Sequence, residues 1–356
     1  MTHHYQLTTD DASQWRSLLP ANDCVMGSVE YARAYEKYTG WPARLFVFET
    51  PKTTVVYPYF QRPVQGLSYT KDLTVDYWDT VTPEYTGPIE VNSRQSEGLS
   101  DLGFEDAFAS HCRDHRIVAE FAHLNPWHVP YGVLDSACIE SNREIVYVDL
   151  TWGEDRIRRE SLKPNCRREV KQAQRAGVVV RQANSPDDIV AFHRLYTQTM
   201  QRRKAQQRYY FSVEYFMEFF NTLPENAYFV LAEHQNRVIA GGLCFHDKTN
   251  IYWHLSAVDM EFAQIYPVNA YLFETVRWGL GQGKQRMVLG GGFAPNDGIF
   301  FYKAKFSRLR AQFCTYRRIH DMATYTSLAQ AWSQHYKRDQ AQADFFPTYR
   351  SAPICQ

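Results

Sequence analysis

YFVLAEHQNRVIAGGLCFHDKTNIYWHLSAVDMEFAQIYPVNAYLFETVRWGLGQGKQRMVLGGG, residues 228–292, holds the pattern that decides the fold. Three short apolar runs stand in series, Tyr228–Glu233, Arg237–Phe245 and Asn250–Ala257, and read as strands. A helix is expected from Pro267 to Leu280, because Val268, Leu272, Val276 and Leu280 recur on one face and Gly281 and Gly283 stop it. A fourth strand, Met287–Leu289, runs into Gly290-Gly291-Gly292. Strands alternating with helices argue for an α/β domain with a mixed sheet.

The flanks extend the pattern. Upstream, Glu144–Leu150 alternates as a strand, and Thr151–Ala176 is charged and helical with a stop at Gly177. Val178–Arg181 is a short strand. Pro186 opens an amphipathic helix to about Met200, and Val213–Thr222 is a further helix. Downstream come a helix over Ile299–Phe306, a strand over Gln312–Ile319 and a last helix over Ala323–Tyr336. The first half gives a looser version of this order. A helix is expected over Ser28–Tyr38, a hairpin from Leu45–Glu49 and Thr54–Phe60, an ordered loop or strand edge over Asp76–Ile89, a helix over Gly103–His115 and a strand over Ile117–Leu124. No close sequence repeat is visible, so duplication rests on element order alone.

A chain of 356 residues exceeds one comfortable core, and two domains are expected. Hydrophobic residues make up 44% and charged residues 22%, which is globular composition. Formal net charge is zero, so any RNA contact must come from a local patch. Seven scattered cysteines without a CxxC pair read as reduced thiols of a cytoplasmic protein. Met1–Asp11 has no apolar core of a signal peptide, and no run approaches the roughly 18 apolar residues needed to span a bilayer.

Three constellations carry chemistry. On the helix Asn165–Ala176, Arg167, Arg168, Lys171 and Arg175 fall within about a quarter-turn, with Val170, Ala173 and Ala176 on the other side. That stripe suits a phosphate-facing helix, although a solvated face is the commoner fate of a charged helix. Gly290, Gly291 and Gly292 end a strand and precede Asn296-Asp297-Gly298 and Phe301–Phe306. Glycines there let backbone approach a ligand, a following helix N-terminus offers N–H groups, and Lys303 can neutralise developing negative charge. Arg202 and Arg203 end a helix and can clamp a pyrophosphate or carboxylate, or simply complement the helix dipole. His111 and His115 have metal-ligand spacing, but no third ligand is evident and no metal is expected. GxSxG, GxxxxGK[ST] and GxGxxG are absent.

Taken together, these residues resemble the FemABX peptidyl transferases and their relatives. The resemblance is carried by "IVYVDL", "CRREVKQAQRAGVVV", "TMQRR", "RVIAGGLCF", "YWHLSA", "YPVNAYLFETVRWGLGQGKQRMVLGGG" and "YKAKF". Earlier, "VVYPYF" and "YWDTVTPEYTGPI" are similar to the family's DxxTPxxYxGP region and the strand before it. The resemblance implies tandem acetyltransferase-like (GNAT) domains of mixed α/β class: residues 1–143, residues 144–311 with the transfer site, and a C-terminal strand and helix, 312–356, packing back on the first. It implies transfer of an amino acid from aminoacyl-tRNA to an amine of a cell-envelope precursor. Lys303 matches the family's transfer-site lysine and Arg202 an arginine on the acceptor's diphosphate. This chain has Tyr302 where the family usually has Phe, and a second lysine, Lys305.

In such a reaction the tetrahedral oxyanion needs donors, and the attacking amine must lose a proton, either to Asp297, His254 or Tyr302, directly or through water, or by a substrate-assisted route through the tRNA's own terminal group. The donor is expected to be charged tRNA, with no other cofactor. Acetyl-CoA enzymes of this fold usually carry a glycine-bearing loop before the helix, and Asp259–Pro267 contains no glycine. The helix at Arg167–Arg175, and Arg308, Arg310, Arg317 and Arg318, offer RNA somewhere to bind. Competing expectations are an acyl-CoA or acyl-carrier-protein N-acyltransferase on a nucleotide-linked amino sugar, and a non-catalytic module binding nucleotide sugar or RNA.

Overall fold

The computed structural model describes residues 2–71, 73–91, 103–129, 132–294 and 297–351; Asn296 and one of the seven cysteines, Cys355, lie outside them. The chain divides into two compact units, Met1–Pro20 with Met26–Asn142 and Phe313–Gln356, and Ala21–Val25 with Arg143–Gln312.

In chain order the first unit begins with β1 (His3–Thr8), α1 (Ala12–Leu18), α2 (Val29–Thr39), β2 (Ala43–Glu49), β3 (Thr54–Pro63), β4 (Trp78–Val81), β5 (Ile89–Glu90), α3 (Phe104–Asp114) and β6 (Ile117–His123). Next come β7 (Ile139–Asp149), α4 (Gly153–Arg156), a π-helical turn at Ile157–Ser161, α5 (Pro164–Arg175), β8 (Val179–Gln182), α6 (Pro186–Arg202), α7 (Val213–Thr222), β9 (Ala227–His234), β10 (Arg237–His246), β11 (Asn250–Val258), α8 (Pro267–Gly281), β12 (Arg286–Gly290) and α9 (Gly298–Lys303). The chain closes with β13 (Arg310–Ile319) and α10 (Met322–Tyr336).

Within the first unit the strand order is β1-β2-β3-β4-β6-β13, and within the second β8-β9-β10-β11-β12-β7. All neighbours are antiparallel except β4 with β6 and β11 with β12. Apart from the two-residue β5, which pairs with β3 off this path, the segments β1–β6 and β8–β12 therefore both run β-α-α-β-β-β-α-β, with the one parallel pair at the same place in the order. This is a tandem acetyltransferase-like architecture of mixed α/β class, as the element order had led us to expect.

Local chemistry explains the boundaries. Ser28 caps α2 by accepting from Tyr31 N, and Gly40, at φ 68°, ends it in the left-handed conformation that costs glycine nothing. Ser185 caps α6, with Pro186 in its first turn and Asp187 and Asp188 favourable to the dipole. The helix expected without interruption over Thr151–Ala176 is broken instead. Leu162 and Lys163 are extended, because the ring of Pro164 disfavours helical backbone before it, and Pro164 then starts α5. Arg167 fills the gap, its Nη1 donating to the carbonyls of Arg158, Arg159 and Leu162 at 2.9, 2.8 and 3.1 Å.

The second unit's core lies where α5 and α8 cover the sheet, with Val146, Val148, Val170, Val230, Ile251, Leu272, Phe273 and Val276 all buried. At roughly 1.5–3 kcal/mol per buried aliphatic or Phe side chain, this contact sets the height at which α5 and α8 present their polar residues. The first unit packs Phe46, Phe48, Tyr57, Phe104 and Phe108 around α3. A smaller cluster of Val64, Val118, Leu328, Trp332 and Tyr349 fixes α10 and the tail. The aromatic stretch Tyr209–Phe220 goes to core in part: Tyr215, Phe216 and Phe219 are buried. His111 lies with Nε2 2.9 Å from the Tyr59 hydroxyl, and burial, ahead of the neighbouring His115, pulls its pKa down to about 3.

Candidate active site

The register of two strands opens the site. β11 pairs with β12 only where Asn250–Tyr252 face Arg286–Val288. Past Tyr252, β11 stays on β10, with a bulge at Leu243/Cys244, while β12 follows β7. The segment Trp253–Val258 is thus left without a ladder on its β12 side. A cavity of about 950 Å³ occupies that divergence, entirely within the second unit. Its walls come from α6 (Tyr196, Thr199, Met200, Arg203), β11 (Trp253, His254, Ser256), the start of α8 (Tyr266, Asn269), α5 (Glu169), and α9 with its flanks (Phe293, Asp297, Ile299, Tyr302, Lys303, Lys305). Four cationic side chains line it, Arg203, Lys204, Lys303 and Lys305, against the carboxylates Glu169 and Asp297.

Lys303 Nζ donates to Gly291 O at 2.6 Å and sits 5.5 Å from the centre of the Trp253 ring. A cation over an indole face is attracted by the ring's quadrupole. Tyr302 donates its hydroxyl to Asn269 Oδ1 at 2.8 Å. Burial, followed by the nearby Tyr271, Cys166 and Glu169 groups, pushes its pKa well up, so it is a neutral phenol. Asn269 is buried and donates in turn to Glu169 Oε2 at 2.9 Å. Lys305 Nζ meets Glu169 Oε1 and Oε2 at 3.3 and 3.4 Å. The hydroxyl of Ser256, which lines the cavity, is 2.6 Å from that of the buried Tyr271.

Asp297 is the cap of α9. Its Oδ1 accepts from Phe300 N at 2.8 Å, and its Oδ2 from Phe293 N and Ala294 N at 2.7 and 3.1 Å. Those N–H bonds, Phe300 first, hold its carboxyl below the usual range. Gly292 is required here, since a Cβ on it would stand 2.2 Å from Asp297 Oδ1. Gly290 has φ 78°. The glycine run thus serves the turn from β12 to the Asp297 cap; of Gly290, Gly291 and Gly292, none is among the cavity walls, although the Gly291 carbonyl anchors Lys303. His254 is on the wall with its Nε2 shut off from solvent and no hydrogen-bond partner among the described residues. Burial lowers its pKa to about 4, so the ring is neutral near pH 7.

Of the other residues singled out from sequence, Arg203 reaches the cavity and Arg202 does not. Arg202 Nη1 donates to Val258 O at 3.4 Å, and burial, then Arg203, lowers its pKa. None of Arg167, Arg168, Lys171 and Arg175 lines the cavity. Arg167 is spent on backbone carbonyls, whereas Arg168, Lys171 and Arg175 form an exposed face of α5. Sequence reasoning missed Glu169 and Asn269. The available signals were an acid inside a basic helix and a lone amide inside an otherwise apolar helix face. Among the described residues, no group of His, Cys, Asp and Glu is placed to hold a metal.

Residues 160–304, which include every cavity-lining residue but Lys305, match the family model of the acetyltransferase (GNAT) domain. The chain carries an acetyltransferase (GNAT) domain. Acyl transfer is accordingly its activity class. The crystal structure of FemX superposes over 91% of this chain and 99% of its own, with a TM-score of 0.68 at 12% identity. A conserved protein of unknown function from Bacteroides thetaiotaomicron VPI-5482 covers 89% of this chain and all of its own, with a TM-score of 0.57 at 9% identity. The C-terminal domain (DUF2156) of a putative lysylphosphatidylglycerol synthetase from Agrobacterium fabrum covers 88% and 93%, with a TM-score of 0.53 at 11% identity. At such identities the likeness establishes the fold, which is the FemX-like one implied by the sequence resemblance. No curated protein sequence gives a significant match. No described helix of this GNAT-domain protein is long and apolar enough to cross a membrane.

Proposed function

We propose that the chain transfers an aminoacyl group from charged tRNA to an amine of a cell-envelope precursor, with the reacting carbonyl in the cavity between β11 and β12. The observation that carries this reading is the Lys303 ammonium on the wall of that cavity, fixed by the Gly291 carbonyl. A neutral amine attacks the ester carbon, and charge develops on the carbonyl oxygen. Lys303 and the unladdered backbone of β11 are the donors for that oxyanion. Arg203 and Lys204 give the cavity an excess of positive charge suited to a phosphate-bearing acceptor. Arg202, one residue away, donates to Val258 O instead of reaching the cavity.

Two observations favour RNA over coenzyme A as the donor's carrier. The backbone before α8 is internally consumed: Glu261 N bonds Asp259 Oδ1, Phe262 N bonds Asp259 O, Tyr266 N bonds Ala263 O, and Pro267 has no N–H. A pyrophosphate finds few donors there. In addition, α5 offers Arg168, Lys171 and Arg175 to solvent while delivering Glu169 to the cavity. One helix thus serves both a docked phosphate backbone and the reacting end of the donor. The acetyltransferase family match favours an acyl-CoA donor as the second reading. Incorporation of label from a pool of aminoacyl-tRNAs, compared with acetyl-CoA, into a cell-envelope precursor extract separates the two, since RNase abolishes only the first.

A further inference from the structure

The proposed transfer needs a group to take the proton of the attacking nitrogen, and two of the three residues named for this from sequence, Asp297 and Tyr302, are already engaged while the third, His254, has one ring nitrogen closed off. Asp297 spends both oxygens on backbone N–H groups. The Tyr302 hydroxyl already donates to Asn269, and the His254 Nε2 is walled off. One other carboxylate lines the cavity among the described residues, that of Glu169. It lies against Lys305 at 3.3 Å and accepts from Asn269, and both of these partners also line the cavity. The other ionisable groups facing it are Tyr302 from α9 and Cys166 from its own helix. Both are neutral, with burial pushing the Cys166 thiol up to about 12.

We propose that Glu169 and Lys305 are the acid–base pair of the transfer: Glu169 accepts the proton of the attacking nitrogen, and Lys305 protonates the leaving oxygen. This rests on the acyl-transfer reading above and names the residues that complete it. The amine lone pair forms the C–N bond, and the carbonyl electron pair moves onto its oxygen beside Lys303. The resulting N–H⁺ gives its proton to the Glu169 carboxylate. Collapse of the intermediate breaks the C–O bond, and the departing oxygen takes a proton from the Lys305 ammonium. The carboxyl of Glu169 then returns its proton to the Lys305 amine across their 3.3 Å contact. Amine plus ester gives amide plus alcohol, and the pair is restored.

The test is Glu169→Gln. The glutamine oxygen can still accept from Asn269 or Lys305, so the packing role survives while basicity is lost. Transfer is followed from the labelled aminoacyl-tRNA pool and from labelled acetyl-CoA into the same precursor extract, with Tm recorded alongside. The expected result is a fall of about 100-fold or more in kcat/KM, with Tm within a few degrees of wild type. Glu169→Asp, which keeps the carboxylate but withdraws it by one methylene, should retain more activity than Glu169→Gln. A Glu169→Gln rate within threefold of wild type overturns the proposal and leaves the acyl-transfer reading standing. Should that variant fail to fold, a folded Glu169→Asp protein at the full wild-type rate overturns it as well. A wild-type protein silent with both donors removes the acyl-transfer reading, and this proposal with it.

Discussion

Replacing Lys303 by methionine isolates the charge on the cavity wall from the volume that carries it. The side chain donates to the Gly291 carbonyl and lies against the Trp253 ring, and methionine preserves most of its apolar length. Loss of that bond should cost the fold about 1 kcal/mol, or roughly 2–4 °C in Tm for a unit of this size. The transition state should lose far more. Removing one preorganised oxyanion donor costs about 2.7–4 kcal/mol, or roughly 100- to 1,000-fold in kcat. Lys305 lines the same cavity and can compensate in part, which sets the lower bound at about tenfold in kcat/KM. The assay is single-turnover transfer from labelled donor, with circular dichroism to confirm the fold. A folded Lys303→Met protein within twofold of the wild-type rate would refute the placement of the oxyanion at Lys303.

Asp297→Ala removes the acceptor of three N–H groups and should destabilise the loop before α9 by about 1–2 kcal/mol in urea unfolding. Because the folded carboxyl titrates below its ordinary value, its contribution is present above about pH 4 and fades as pH falls through the folded pKa. The variant should lack that component of acid destabilisation. In the first unit, the fully buried Asp79 bridges Arg62 and Arg350. Asp79→Ala strands two cations and should cost about 3–5 kcal/mol, whereas Arg350→Ala leaves the Arg62 partner and should cost less. Charge reversal at Arg168, Lys171 and Arg175 should weaken binding of deacylated tRNA. It should also flatten the dependence of log K on log salt by about 0.7–0.9 for each phosphate that the variant no longer neutralises, read by fluorescence anisotropy.

Much of the fold was legible because period and punctuation agreed. The helix over Pro267–Leu280 and the three strands before it appear within a residue or so of where they were read, since proline, glycine and continuous apolar runs bounded by polar residues mark them. β1 and α1 escaped notice. HHYQLT buries only Leu7, and the seven residues of α1 bury only Trp15, so neither shows a periodic apolar face. Ala21–Val25 belongs to the second unit through Asn22 and Asp23, which bond Asn226, Lys248 N and Lys248 Nζ, a tertiary pairing invisible in a polar loop. The candidate site was legible where residue type and loop chemistry coincide, as at Lys303 and Tyr302. Asp297 was readable as an acid near the site but not as a cap, because its three N–H partners depend on how the glycine run folds back. Glu169 was hidden because membership of the cavity depends on which way α5 is rotated, and the buried Cys166, Val170 and Ala173 decide that.

The most direct test of the account is transfer of labelled amino acids from pooled aminoacyl-tRNA to an amine in a cell-envelope precursor extract, with and without RNase. The account predicts incorporation that RNase abolishes and that Lys303→Met reduces at least about tenfold. Incorporation that survives RNase and follows acetyl-CoA instead would contradict the donor assignment.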